Sequence, residues 1–212
     1  MNIAIAGGSG LVGSKVLEIA QNDTKISSIH LIGRRILEMN DPKVHQHIVD
    51  FENLSVFELP ENIDAVISCL GTTIKKVGKD GQMKVDRYYV ANLGKWTLEN
   101  NIKTFITLSS LGADERSFSF YLRVKGLMEK EINKLSIPNK VIIRPSLILG
   151  DRNEYRFGER IAGKVLTFVS PLLIGSLKKQ RPVKDIQIAK TILYYVQNPA
   201  SKIVESNEIR TF

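Results

Sequence analysis

Ser110, Tyr121 and Lys125 are the residues of this 212-residue chain whose types and order suit proton transfer to or from a carbonyl or alcohol oxygen. Tyr121 and Lys125 stand four apart in the stretch YLRVK, and on a helix that spacing puts both on one face, phenol and ammonium aimed into the same cleft. A cation beside a phenol stabilises the phenolate, the form that accepts a proton, and so suits Tyr121 to general acid/base work. Ser110 ends the run TFITLSS, where a hydroxyl at the carboxyl end of a strand can hydrogen-bond a substrate oxygen. A Tyr and a Lys at this spacing are commonly plain surface residues of a helix, so the pair gains weight only from what precedes it.

What precedes it is a glycine loop. The stretch GGSGLVG follows the apolar run NIAIA directly and opens a helical pattern, the context in which such a loop holds a dinucleotide pyrophosphate. Gly7 permits the tight turn, Gly10 lets the backbone approach a phosphate, and Gly13 allows the helix to pack close on its strand. The helix N-terminus adds N–H groups that favour anions. At the end of the second predicted strand, LIGRR puts Arg34 and Arg35 where an NAD-selective site carries an acidic residue for the ribose 2′-hydroxyl. Planar, permanently charged guanidinium groups suit a 2′-phosphate instead, which predicts NADPH over NADH; plain surface charges are the other reading of the same pair. After the run AVIS, the sequence CLGTT places Leu70 and Gly71 beside the adenosine-ribose side of the cofactor, while Cys69, with no histidine near it in sequence, reads as a packed thiol.

These residues need a scaffold that delivers them to one edge. Short β-branched runs at 2–6, 28–32, 46–49, 64–69, 103–108 and 140–144 alternate with helical patterns at 10–21, 85–100 and 119–135. Strand then helix, repeated, predicts an α/β three-layer Rossmann fold with a mostly parallel, doubly wound sheet. A last helix is expected over 183–196 and an edge strand over 202–211. With no linker or repeat, the expectation is one NAD(P)-binding domain over 1–212, about 1–145 forming the dinucleotide-binding core and about 146–212 a small C-terminal substrate-covering extension.

Composition excludes more than it selects. The net charge of +8 is spread along the chain rather than gathered in basic blocks with interleaved aromatics, which argues against nucleic acid as a partner. No apolar run approaches the ~20 residues of a membrane span, and the N-terminal run reads as a strand rather than a signal peptide. The single cysteine provides neither a disulfide nor a metal framework, and a cytoplasmic protein is expected.

Taken in order, these motifs resemble the short-chain dehydrogenase/reductase superfamily, and more closely its atypical branch that includes the Tat-interacting oxidoreductases. The matching stretches are LIGRR (31–35), VDFENL (49–54), CLGTT (69–73), VDRYYV (85–90), LSSLGAD (108–114), YLRVKG (121–126) and IRPSLILGDR (143–152). The resemblance implies NADP(H) as cofactor, held at Ser9 to Val12, Arg34 with Arg35, and Leu70 with Gly71. It also implies Ile148 near the nicotinamide and Arg156 near a phosphate or the substrate mouth, with Tyr121 and Lys125 touching the cofactor as well as the substrate. Leu11 and Val12 depart from the more polar residues of mammalian members, which leaves backbone contact there. Asn92 is similar to a helix asparagine of other branches, though a helix-surface residue is the simpler reading.

The function expected from residues and resemblance together is an NADPH-dependent oxidoreductase acting on a small carbonyl or alcohol, as a monomer or a homodimer. An NADP(H)-binding sensor or interaction protein with little catalysis stands as the alternative. An epimerase or dehydratase acting on a sugar nucleotide is a third reading, disfavoured by the short stretch left after the Arg-Pro strand for a substrate lobe.

Overall fold

The computed structural model describes residues 1–58, 62–150 and 181–212. In chain order these form β1 (Asn2–Ala6), α1 (Leu11–Asn22), β2 (Ser28–Gly33), β3 (Val44–Ile48), β4 (Ala65–Ser68), α2 (Ile74–Met83), α3 (Val90–Glu99), β5 (Thr104–Leu108), α4 (Phe120–Lys134), β6 (Asn139–Arg144), β7 (Ile148–Leu149), β8 (Val183–Lys184), α5 (Asp185–Gln197), β9 (Lys202–Glu205) and α6 (Ser206–Ile209). Among the described residues the main sheet has seven strands in the order β3-β2-β1-β4-β5-β6-β9, every neighbouring pair parallel. β7 and β8 make a separate parallel pair. This is the α/β Rossmann architecture that the strand-helix alternation predicts.

A parallel sheet must be covered on both faces, and alternate residues of the central strands serve the two cores. Ile3 and Ile5 of β1 face α1 and α5, packing with Val16, Leu17, Ile188 and Ile192. Ala4 and Ala6 face α3 and α4, with Leu93, Trp96, Met128 and Ile132. The chain runs outward from β1 through β2 to β3, then returns to place β4 on the other side of β1. The order therefore reverses between β1 and β4, and at such a switch point a crevice opens beyond the carboxyl ends of the strands.

Some elements differ from the expected ones for identifiable reasons. β3 begins at Val44 rather than residue 46, since an edge strand carries a weak alternation. α2 has no predicted counterpart: its sequence IKKVGKDGQM is polar, and the backbone departs from helical geometry at Gly78, with φ of 71°. The expected strand over 202–211 stops at Glu205, because Glu208 folds back to accept a hydrogen bond from the Glu205 backbone N–H and starts α6. The last helix and strand complete the main sheet and its cover: α5 packs on α1, and β9 pairs with β6.

The outer strands gather all three histidines of the chain, His30, His45 and His47. His30 is fully buried, its Nε2 bonded to Ser28 Oγ and its Nδ1 2.9 Å from His47 Nε2, a contact that shares one proton between two rings. Burial, then the neighbouring His30 and His45, lower the His47 pKa below the ordinary histidine value. The neutral ring is thus the form that folding favours, so its stabilisation is complete above the unfolded value of about 6.5 and is lost as pH falls through the folded one. Thermal unfolding followed from pH 8 to pH 5 should show a decline that His47→Gln makes shallower; an identical slope in the variant would contradict this. Gly13→Ala should destabilise by about 1–3 kcal/mol in denaturant unfolding, because a Cβ there would lie 2.1 Å from the Gly7 carbonyl oxygen.

Candidate active site

The glycine loop sits at the switch point. Gly7 adopts a φ of +86°, which L side chains rarely adopt, and a Cβ on it would lie 2.7 Å from the Cys69 carbonyl carbon beyond β4. The two loops that follow β1 and β4 can therefore abut only because this position has no side chain. Gly10 donates its N–H to the Gly7 carbonyl and caps α1 without a side-chain hydrogen bond. No acidic residue stands in the first turn of α1, so nothing in that turn neutralises the positive helix end formed by the N–H groups of Leu11, Val12 and Gly13. Ser9 is exposed at the tip. A turn with glycine at Gly7, Gly8, Gly10 and Gly13, leading into a helix with no acidic residue in its first turn, fits a pyrophosphate.

The other residues expected at a cofactor lie along the same edge. Arg34 and Arg35 follow β2, both exposed. Leu70 and Gly71 follow β4, and Gly71 lies against a buried carboxylate, a Cβ there being 3.5 Å from Asp86 Oδ1. Ile148 is half-buried in β7, and two residues on, Gly150 comes so close to α1 that a Cβ would lie 2.7 Å from Leu11 Cδ1. This segment thus runs beside the start of α1. Arg156 lies outside the described residues.

Tyr121 and Lys125 occupy the first turns of α4, Tyr121 half-buried and Lys125 3% exposed. The Lys125 ammonium sits 3.0 Å from Asp86 Oδ1 and donates to the Leu108 carbonyl at 3.2 Å, just before Ser109 and Ser110. Burial works against its charge, but Asp86, then Tyr121 and Glu129, outweigh it and raise the Lys125 pKa above the ordinary lysine value. Tyr121 therefore lies within electrostatic reach of the ammonium, as the four-residue spacing requires. α4 is fixed over the site by the loop after β5: Asp114 N–H donates to the Leu122 carbonyl, and Gly126 allows an approach in which a Cβ would lie 2.2 Å from the Asp114 carbonyl carbon.

The adjacent serines divide. Ser109 turns inward, its hydroxyl donating to Glu129, which is also bound by Arg144 through Nε at 2.9 Å and Nη2 at 2.5 Å. Ser110 is half-buried, with a long 3.4 Å hydrogen bond to the neighbouring Leu111 carbonyl, and its hydroxyl keeps capacity for a ligand. Asn92 donates to the Phe51 carbonyl at 2.9 Å, a structural tie that keeps it from the site. Burial pushes the Cys69 thiol up to about 12, Lys125 opposing only part of the shift, which suits a packed thiol rather than a nucleophile.

The residue that motif reading passed over is Asp86. It lies in VDRYYV on the π-helical stretch Lys84–Tyr89 that joins α2 to α3, and is 1% exposed. One signal for it was available: an acid one turn ahead of the buried Tyr89 and Val90 occupies the apolar face of its helix, where an unpaired charge is expensive. The Glu129–Arg144 pair was equally silent, because its partners come from different elements.

Comparison with known proteins agrees with the fold. No family model matches the chain. Protein HTATIP2 of Rattus norvegicus is 37% identical over 167 residues, covering 77% of this chain and 69% of that protein. Protein FMP52, mitochondrial, of Debaryomyces hansenii is 30% identical over 209 residues, covering 95% of this chain and 90% of that protein. Among solved structures, the human epimerase family protein SDR39U1 (isoform2) with NADPH superposes with a TM-score of 0.66 at 15% identity, over 98% of this chain and 77% of that one, which shows the shared fold. The expected cytoplasmic location is overturned by these relatives, since FMP52 proteins of several yeasts are named mitochondrial. A single cysteine excludes a disulfide framework and does not discriminate among reducing compartments. With HTATIP2 and FMP52 as relatives along most of its length, the chain belongs to their family, an atypical branch of the short-chain dehydrogenases/reductases built on an NAD(P)-binding Rossmann fold.

Proposed function

We propose that this protein is an NADP(H)-dependent oxidoreductase acting on a small carbonyl compound or alcohol. The observation that carries the reading is the buried Lys125 ammonium, held charged by Asp86 within reach of Tyr121, on the same sheet edge as the glycine cradle. A sensor that only binds the cofactor has no need of that pair. The fold neighbour solved with NADPH is consistent with the choice of cofactor.

In this reading the N–H groups of the loop from Gly7 and Ser9 through Gly10, Leu11, Val12 and Gly13 hold the pyrophosphate, and Arg34 with Arg35 binds the 2′-phosphate. Leu70 and Gly71 lie along the adenosine-ribose side, Ile148 packs near the nicotinamide, and Arg156 serves a phosphate or the substrate mouth. When bound, NADPH supplies the hydride and NADP⁺ accepts it. Ser110 orients the substrate oxygen by a hydrogen bond. Tyr121 gives that oxygen a proton in reduction and takes it back in oxidation. Lys125 would also contact the bound cofactor and, because its pKa is raised, stays cationic through the neutral range to hold the phenol ready for either transfer.

Tyr121→Phe should reduce turnover by about 10²–10⁴-fold, measured as NADPH consumption with a panel of aldehydes, ketones and quinones, while NADPH affinity stays nearly unchanged. Full activity in that variant would sink the assignment, and tight NADPH binding without turnover of any substrate by the natural protein would establish the sensor instead. Replacing Arg34 and Arg35 together by Ala should weaken NADPH binding by about 10- to 100-fold, the range for lost charge-assisted hydrogen bonds, and leave NADH binding almost unaltered. Equal affinities for NADPH and NADH in the unsubstituted protein would refute the 2′-phosphate role.

A further inference from the structure

Asp86 stands at a junction that the proposed chemistry does not itself require. One carboxylate oxygen, Oδ1, meets the Lys125 ammonium at 3.0 Å, and the other, Oδ2, accepts the Thr72 N–H at 2.8 Å. One helical turn earlier, buried Gln82 donates from Nε2 to the Thr72 carbonyl at 3.1 Å, so both backbone polar groups of Thr72 are clamped by one helix face. Thr72 follows Leu70 and Gly71 directly, and Gly71 lies beside the same carboxylate, a Cβ there being 3.5 Å from Asp86 Oδ1. The π-helical stretch over Lys84–Tyr89 inserts an extra residue into the helical repeat at this point, a distortion found mostly at functional positions. Asp86 thus joins three elements: the loop after β4, the helix that carries Tyr121, and, through Lys125, the Leu108 carbonyl at the end of β5.

We propose that Asp86 is the positioning residue of the site, holding the Lys125 ammonium in place and tying it to the loop of residues 70–73 along which the dinucleotide is expected to lie. The inference rests on the oxidoreductase reading for its catalytic meaning, although the ion pair exists independently of it. A carboxylate at this position has two tasks. It keeps a cation inside a pocket that would otherwise discharge it, and it fixes the loop backbone through Thr72, so that the base-activating lysine and the cofactor loop share one anchor. An amide in its place retains the acceptor for Thr72 and loses the charge, which separates the two tasks.

The test uses the full chain with lysine 13Cε labels, the Lys125 resonance assigned by its loss in Lys125→Arg, and compares unsubstituted protein, Asp86→Asn and Asp86→Glu by NMR titration. The unsubstituted protein should keep the Lys125 proton to a pH above the ordinary lysine value of about 10.4. Asp86→Asn should release it at least about one pH unit lower, because burial then acts unopposed, and Asp86→Glu should restore the high value. With any substrate that the natural protein turns over, Asp86→Asn should lower kcat about tenfold or more, the lower end of what a positioned proton-transfer group contributes, with KM for NADPH nearly constant. An unchanged Lys125 titration in Asp86→Asn overturns the proposal. Should that variant fail to fold, a natural-protein Lys125 that loses its proton at or below the ordinary value overturns it equally. Failure of the natural protein to bind NADPH, with the Lys125 titration behaving as expected, removes the oxidoreductase reading and leaves the Asp86 anchor standing.

Discussion

A lysine ammonium that is almost wholly buried has to be compensated, and the compensation of Lys125 by Asp86 organises the candidate-site half of this molecule. Removing one partner from such a pair typically costs about 3–5 kcal/mol, since the remaining charge is stranded away from water. The surroundings are arranged to prevent that. Asp86 is brought into line by a π-helical stretch, its second oxygen is occupied by the Thr72 N–H, and Lys125 finds a further acceptor in the Leu108 carbonyl. The parallel pairing of β4 with β5 brings the ends of those strands side by side, so the loops carrying Thr72 and Ser110 leave the sheet as neighbours.

A second constraint meets the first at the same loop. β1 and β4 are neighbours across the switch point, and the turns beyond them touch only because Gly7 has no Cβ to collide with the Cys69 carbonyl. Gly13 performs the same service between α1 and the turn. The residues after β4 are thus pressed from one side by the glycine loop and held from the other by Gln82 and Asp86. A ligand lying across this edge would meet a backbone fixed in advance, which lowers the ordering entropy that binding must overcome. The Ser109–Glu129–Arg144 network does similar work further along, joining the end of β5 to α4 and β6, while the adjacent Ser110 hydroxyl takes no part in it.

Which parts of this were legible in the sequence follows from the range of the interactions. The strand-helix alternation is local, so the fold class and most element positions could be read directly, including the tight turn at Gly7 and the common helix of Tyr121 and Lys125. α2 could not, because a polar segment interrupted at Gly78 has no apolar stripe to read. Asp86 and Lys125 lie far apart in the chain on different helices, and nothing in local spacing announces that they meet. The two serines of LSSLGAD are indistinguishable as letters; only the inward turn of Ser109 toward Glu129 separates their roles. Cysteine count reports on disulfides and not on compartment, so the cytoplasmic expectation had no physical footing and gives way before relatives that are named mitochondrial.

The edge of the sheet defined by the glycine cradle and the Lys125–Asp86 pair is the proposed seat of a dinucleotide. This assignment is tested most directly by a crystal structure of the protein purified without added ligand and, in parallel, of crystals grown with NADP⁺. Density is expected for the pyrophosphate against the N–H groups at the start of α1, the 2′-phosphate beside Arg34 and Arg35, and the nicotinamide end reaching the Tyr121 hydroxyl and the Lys125 ammonium. A dinucleotide bound elsewhere on the molecule, or a cradle that stays empty at saturating NADP⁺, would contradict it.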